Sequence, residues 1–166
     1  MAPTRPTNRQ LVECVAAHMD VDADAISLAP IPSGKFNDSY YVLAGGTEYV
    51  LRIAPSRNAV FCFYEREMMR QEPFIHQMLL DRTTVPVARI YVFDDSHRIM
   101  PRDFLIMERL PGIAMSELTH VDEAAVLRQV GQALAQTHAQ KGNRYGYVGA
   151  HHPMEPQNSW AEAFHI

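Results

Sequence analysis

Apolar residues at Leu11, Val15 and Met19 recur at helical spacing, so residues 8–19 read as an amphipathic helix. Thr7, with Gln10 three positions later, supplies a capping box for its first amides. Residues 26–31 are a weak strand interrupted by Pro30, and Pro32-Ser33-Gly34 marks a turn. Residues 39–43 are aromatic and branched. Gly45-Gly46 suits a tight hairpin, and residues 47–53 return as the partner strand. The pleat sets Tyr49, Leu51 and Ile53 on one face, with Val50 and Arg52 on the other. Residues 63–80 have helical composition, with Pro73 either kinking that helix or starting a second one. Strands are expected over 85–93 and 104–108, separated by an Asp94-Asp95-Ser96 turn. Leu110-Pro111-Gly112 breaks the pattern. The clearest helix is 122–140, where Leu127, Val130, Leu134 and Thr137 or His138 share a face before Gly142 at its C-terminal stop. Beyond Asn143 regular structure fades until residues 160–166, the first turns of another helix.

This order of elements gives an α+β fold in which five strands, joined largely by hairpins, form an antiparallel sheet covered on one face by the inserted helix. Such short connections exclude a parallel sheet, which needs a crossover between strands. The 166 residues suit one domain, or one and a part. A net charge of −4 gives no electrostatic footprint for nucleic acid. No apolar run reaches the ~20 residues of a membrane span, and the polar start is not a secretory signal. Cys14 and Cys62 stand alone, without metal-ligand spacing, which favours a reduced, cytoplasmic setting.

Five stretches carry a family resemblance. They are Ser33-Gly34-Lys35-Phe36-Asn37-Asp38-Ser39-Tyr40, Tyr49-Val50-Leu51-Arg52-Ile53, Tyr64-Glu65-Arg66-Glu67-Met68-Met69-Arg70-Gln71-Glu72, Val85-Pro86-Val87, and Phe104-Leu105-Ile106-Met107-Glu108-Arg109-Leu110-Pro111-Gly112. In order and separation they resemble the amino-terminal part of the aminoglycoside phosphotransferase and protein-kinase-like family. The resemblance implies a helical extension over 1–22, a kinase-like amino-terminal lobe over 23–107, a hinge over 108–113 and the start of a carboxyl-terminal lobe over 114–166. It also implies ATP or GTP with magnesium, and a hydroxyl of a small-molecule acceptor to receive the γ-phosphate.

Each candidate has its own chemistry. In the turn of Ser33, Gly34, Lys35 and Asn37, the missing Cβ of Gly34 lets backbone amides approach a phosphate, and Lys35 adds charge. Arg52 stands where the family places the cation that holds the α- and β-phosphates and pairs with a helix carboxylate; its fork of donors can bridge two anions. Glu72 is the first candidate partner and Glu65 the next, seven residues apart on one helix face. By resemblance, the backbones of Glu108 and Leu110 would bond the base, with Met107 behind it.

The family's chemistry also needs His-x-Asp with Asn five residues after the Asp, and a later metal-binding Asp. His18-Met19-Asp20 leads to Ala25 and His120-Val121-Asp122 to Leu127, and no Asp follows Asp122. No catalytic residue is therefore assigned, and the chain is expected to stop short of its catalytic loop. The histidines do not compose a metal site: His151 and His152 are adjacent, and His138 is expected to be buried and hydrogen-bonded. The apolar face of 122–140 needs a cover, for which a homodimer or segment exchange is expected. A non-catalytic, kinase-derived interaction module is the alternative reading.

Overall fold

The computed structural model describes residues 5–32, 36–56 and 59–164. Helix α1 (Asn8–Met19) starts on the expected box: the Thr7 hydroxyl accepts from the Gln10 amide, and the Gln10 side chain accepts from the Thr7 amide at 3.0 Å. It ends at Asp20, whose φ of 51° is left-handed. Strands β1 (Ile26–Pro30), β2 (Asp38–Ala44) and β3 (Thr47–Ile53) follow as an antiparallel meander. Gly45 and Gly46 have φ of 56° and 81°, the two positive angles that the tight β2–β3 turn requires. After two short 3₁₀ turns, Phe63–Glu65 and Met68–Gln71, come α2 (Glu72–Arg82), β4 (Ile90–Asp94) and β5 (Phe104–Glu108). The five strands lie in the order β1-β2-β3-β5-β4, all neighbours antiparallel. Pro30 is tolerated because β1 is an edge strand, where a missing donor costs no ladder bond.

The pleat divides the core as the sequence implies. Leu51 and Ile53 of β3 meet Phe104 and Ile106 of β5 and, with Val42, pack beneath Leu11, Cys14 and Val15 of α1. Burial pushes the Cys14 thiol up to about 12, with Asp94 and Glu13 adding to the effect, so it is a packing residue and not a nucleophile. On the opposite face Leu105, Ala54 and Met69 cluster with Ile90, Phe93 and Met107. Both faces of the sheet are therefore covered, not one: α1 adds the second layer.

Three element boundaries differ from the sequence reading. Only the last part of 85–93 is strand. The segment before β4 commits its polar groups to side chains: Thr84 N donates to Gln136 Oε1, Val85 N to Thr83 Oγ1, and Ala88 O bonds the His76 ring at 2.7 Å. Residues 63–80 are not one helix. Glu67 is left-handed, with φ of 60°, and Pro73 occupies the first turn of α2, so Glu65 and Glu72 do not share a helix face. The third difference concerns α3 (Glu123–His138), which is capped by Asp122 as expected but closes at Ala139 and not at Gly142. A short α4 (Trp160–Phe164) ends the described residues. Among these no helix is long and apolar enough to cross a membrane.

Candidate functional site

Arg52 is placed by the pleat. Its β3 neighbours Leu51 and Ile53 point into the α1 core, so Arg52 emerges on the α2 side, opposite Leu105. There Nη1 donates to Glu72 Oε2 at 2.5 Å and Nη2 to Glu72 Oε1 at 3.1 Å, a two-pronged pair with both side chains largely shielded. Glu72 is the first residue of α2, where Pro73 sets the helical angle and the helix dipole favours a carboxylate. The alternative partner, Glu65, instead accepts from the Cys62 amide at 2.8 Å.

The pair forms one wall of a cavity of about 780 Å³. Asn37 enters from the start of the β2 region, Phe36 and Phe61 stand together at 6.4 Å between ring centres, and Met68 and Met69 close the α2 side. Polar groups in its wall are largely engaged. Asp103 accepts from Arg70 Nε at 2.9 Å and from the His97 ring at 2.6 Å. Burial alone pushes the Asp103 carboxyl up, but the bonds from Arg70 and His97 outweigh it and hold it below the usual carboxylate range. Arg102, also buried, spans two partners: Nε donates to Ala54 O and Nη2 to Asp38, each at 2.6 Å. A guanidinium has five N–H donors, and its two bonds to Glu72 use one on each terminal nitrogen of Arg52. The wall can thus present an oriented cation to an anionic ligand without an unpaired buried charge.

Of the residues singled out in the sequence, Asn37, Arg52, Glu72 and the alternative partner Glu65 all line this cavity. Ser33, Gly34 and Lys35 lie outside the described residues. Met107 lies opposite Val50, farther along the same sheet face, and packs with the Leu105 cluster. The Glu108 amide donates to Arg89 O at 2.8 Å, and its carboxylate accepts from Arg89 N at 3.1 Å. Leu110 is exposed beyond the end of β5.

Two groups were missed. Arg102-Asp103 carries no spacing signal; a charged pair beside a turn ordinarily reads as solvated, and only the fold reveals its partners 64 and 33 residues away. His151, weighed only as a metal ligand, is instead buried against Tyr64 O. His138, expected to be buried, is exposed on α3. Among the described residues no group of three or more His, Cys, Asp or Glu could hold a metal ion.

The family model for a phosphotransferase enzyme family (APH) matches residues 27–165. The chain belongs to this family. Solved structures agree on the phosphotransferase fold. A protein assigned as an aminoglycoside phosphotransferase from Ralstonia eutropha superposes with a TM-score of 0.58 at 21% identity, over 82% of this chain and 39% of that one. One assigned as a fructosamine-3-kinase from Haemophilus somnus gives 0.60 at 19%, over 94% and 50%. Aminoglycoside phosphotransferase APH(4)-Ia gives 0.64 at 15%, over 94% and 48%; a thermostable mutant of it, solved as a ternary complex with AMP-PNP and hygromycin B, gives 0.54 at 15%, over 82% and 43%. The chain thus spans half or less of each. Its five-stranded sheet with helices is the amino-terminal-lobe fold of these phosphotransferases. No curated protein matches the sequence.

Proposed function

We propose that this chain is the nucleotide-binding portion of a small-molecule kinase of the phosphotransferase family, taking ATP or GTP with magnesium. The observation that carries the reading is the Arg52–Glu72 pair at the cavity wall, with bonds of 2.5 and 3.1 Å. Glu72 fixes the guanidinium plane, so that Arg52 meets the α- and β-phosphates already oriented, at little entropic cost. By the family resemblance Ser33, Gly34, Lys35 and Asn37 contribute further phosphate contacts, and of these Asn37 lines the cavity. The base sits against the backbone of a hinge over 108–113, with Met107 behind it. The Glu108 amide is spent on Arg89 O, so the reading assigns base recognition to the Glu108 carbonyl and the Leu110 amide. The related ternary complex with AMP-PNP supports a nucleoside triphosphate as the ligand class.

Bound nucleotide supplies the transferable phosphoryl group, and the acceptor is a hydroxyl compound outside this cavity. The 166 residues contain no His-x-Asp with the required asparagine, so the chain by itself is expected to bind nucleotide weakly and to transfer no phosphate. The uncovered stripe of α3 supports self-association of the 166-residue chain.

Calorimetric titration with AMP-PNP and magnesium chloride tests the reading. Arg52→Ala is expected to weaken binding about tenfold or more, the order of one charge-assisted fork. Equal affinity in the parent and in Arg52→Ala would remove Arg52 from the site.

A further inference from the structure

Helix α2 buries no side chain of its own near the end that carries Glu72, which is held by the Arg52 pair and, just before it, by Met69 and Arg70. Its one buried side chain is Leu79, two turns away, and Gln71 before it makes no side-chain cap. A segment from beyond α3 also meets this end. Tyr145 and Gln157 exchange both backbone bonds, at 2.9 and 2.8 Å, and close the base of a loop. The tip of that loop presses on the start of α2. Gly149 has φ of +66°, and a Cβ there would lie 3.0 Å from Phe74 Cβ, 3.2 Å from Gln71 Cα and 3.4 Å from Arg70 O. Only glycine combines that angle with so close a backbone approach. Two residues on, His151 is 2% exposed; its Nε2–H donates to Tyr64 O at 3.1 Å, and the Tyr147 ring meets it edge-on at 4.9 Å. The loop thus grips the chain on both sides of Met69, immediately before Glu72.

We propose that residues 146–151 form a strap that sets the position of Glu72 against Arg52, with Gly149 and His151 as positioning residues. The inference rests on the reading of Arg52–Glu72 as the phosphate-holding pair. Glu72 can orient Arg52 only while the start of α2 stays at its present height above β3, and the strap contacts that start directly. A chain in which the strap lifts keeps its sheet and its α1 core, because neither cluster contains a strap residue.

The 166-residue chain and its Gly149→Ala, His151→Ala and His151→Gln variants decide the matter by two measurements. The first is amide hydrogen exchange without nucleotide; the second is titration with AMP-PNP and magnesium chloride. Gly149→Ala and His151→Ala are expected to exchange about tenfold faster over residues 64–76, with β2, β3 and β5 unchanged, and to bind AMP-PNP about tenfold more weakly. His151→Gln places an amide donor near Tyr64 O and is expected to stay within about threefold of the parent in both. Unchanged exchange over 64–76 in both disrupting variants overturns the proposal. So does faster exchange with unaltered AMP-PNP affinity, or loss of the whole fold in either variant. A parent chain that takes up no AMP-PNP defeats the phosphate-site reading instead, and the exchange comparison still decides whether the strap holds α2.

Discussion

Asp103 shows how much a single carboxylate contributes when an arginine and a histidine both donate to it. Its side chain is 5% exposed and accepts from both Arg70 and His97. Asp103→Ala would leave Arg70 facing the cavity wall without its strongest partner, a change expected to cost about 2–3 kcal/mol; the value is below that for a fully buried pair because Arg70 stays partly solvated. Urea unfolding at neutral pH measures it, and a loss under about 0.5 kcal/mol, the range of ordinary surface changes, would show that the network is not structural. His151 gives a pH dependence of defined sign. Burial lowers its pKa below the usual histidine value; His152 and Arg70 act in the same direction, while the Tyr64 carbonyl and Glu67 oppose it. A group whose folded pKa is depressed favours the unfolded chain when protonated. Its stabilising contribution is therefore complete above about pH 6.5 and fades as the pH falls toward the lower folded value. The parent is expected to lose more stability than His151→Gln between about pH 7 and pH 5.5, and parallel losses would separate the strap from His151 protonation.

At the level of elements, local rules were enough wherever local groups decide the outcome. The Thr7–Gln10 box, the Gly45-Gly46 turn and the side of β3 from which Arg52 emerges each depend on residues a few positions apart, and each was legible. The segment before β4 was not, because Gln136 and His76, distant in sequence, claim its backbone groups. Nor was the break between the turn at Met68–Gln71 and the preceding one, which depends on Glu67 adopting a left-handed angle that its side chain does not favour. The candidate site divides in the same way: Arg52 and Glu72 were named through the family resemblance, with the strand pleat and the Pro73 helix start setting only their local placement, whereas Arg102, Asp103 and His151 acquire meaning only from contacts across the fold. The end of α1 offers a test of the local part. Asp20 caps it at φ of 51°, where glycine carries no Cβ penalty. Asp20→Gly is expected to raise stability by about 0.5 kcal/mol, the steric gain being partly offset by the greater freedom of glycine in the unfolded chain. Thermal unfolding reads this as a small rise in Tm, and a fall would mean that the aspartate side chain contributes to the cap.

For the whole molecule the decisive feature is α3. Leu127, Val130 and Leu134 fall on one face at helical spacing and are 62%, 47% and 50% exposed. The helix buries no side chain among the described residues, and Gln136 ties it to Thr84 near the end of α2. A continuous apolar stripe in water is unfavourable by about 25 cal/mol for each Å² it exposes, and a second copy presenting the same stripe is the simplest cover that two-fold symmetry allows. The 166-residue chain is therefore expected to sediment above its 18.8 kDa monomer mass as concentration rises through the micromolar range, and to bind an exposed-surface dye when dilute. Replacing Leu127 and Leu134 together by lysine should abolish both effects without loss of folded structure, since neither side chain contributes to a core cluster. AMP-PNP affinity should be unchanged in the same variant, because the proposed phosphate contacts lie on β3 and α2 and need no partner copy. A parent chain that stays at monomer mass throughout would rule out self-association, and an association that survives the double lysine change would move the contact to the exposed Trp160 and Phe164 of α4.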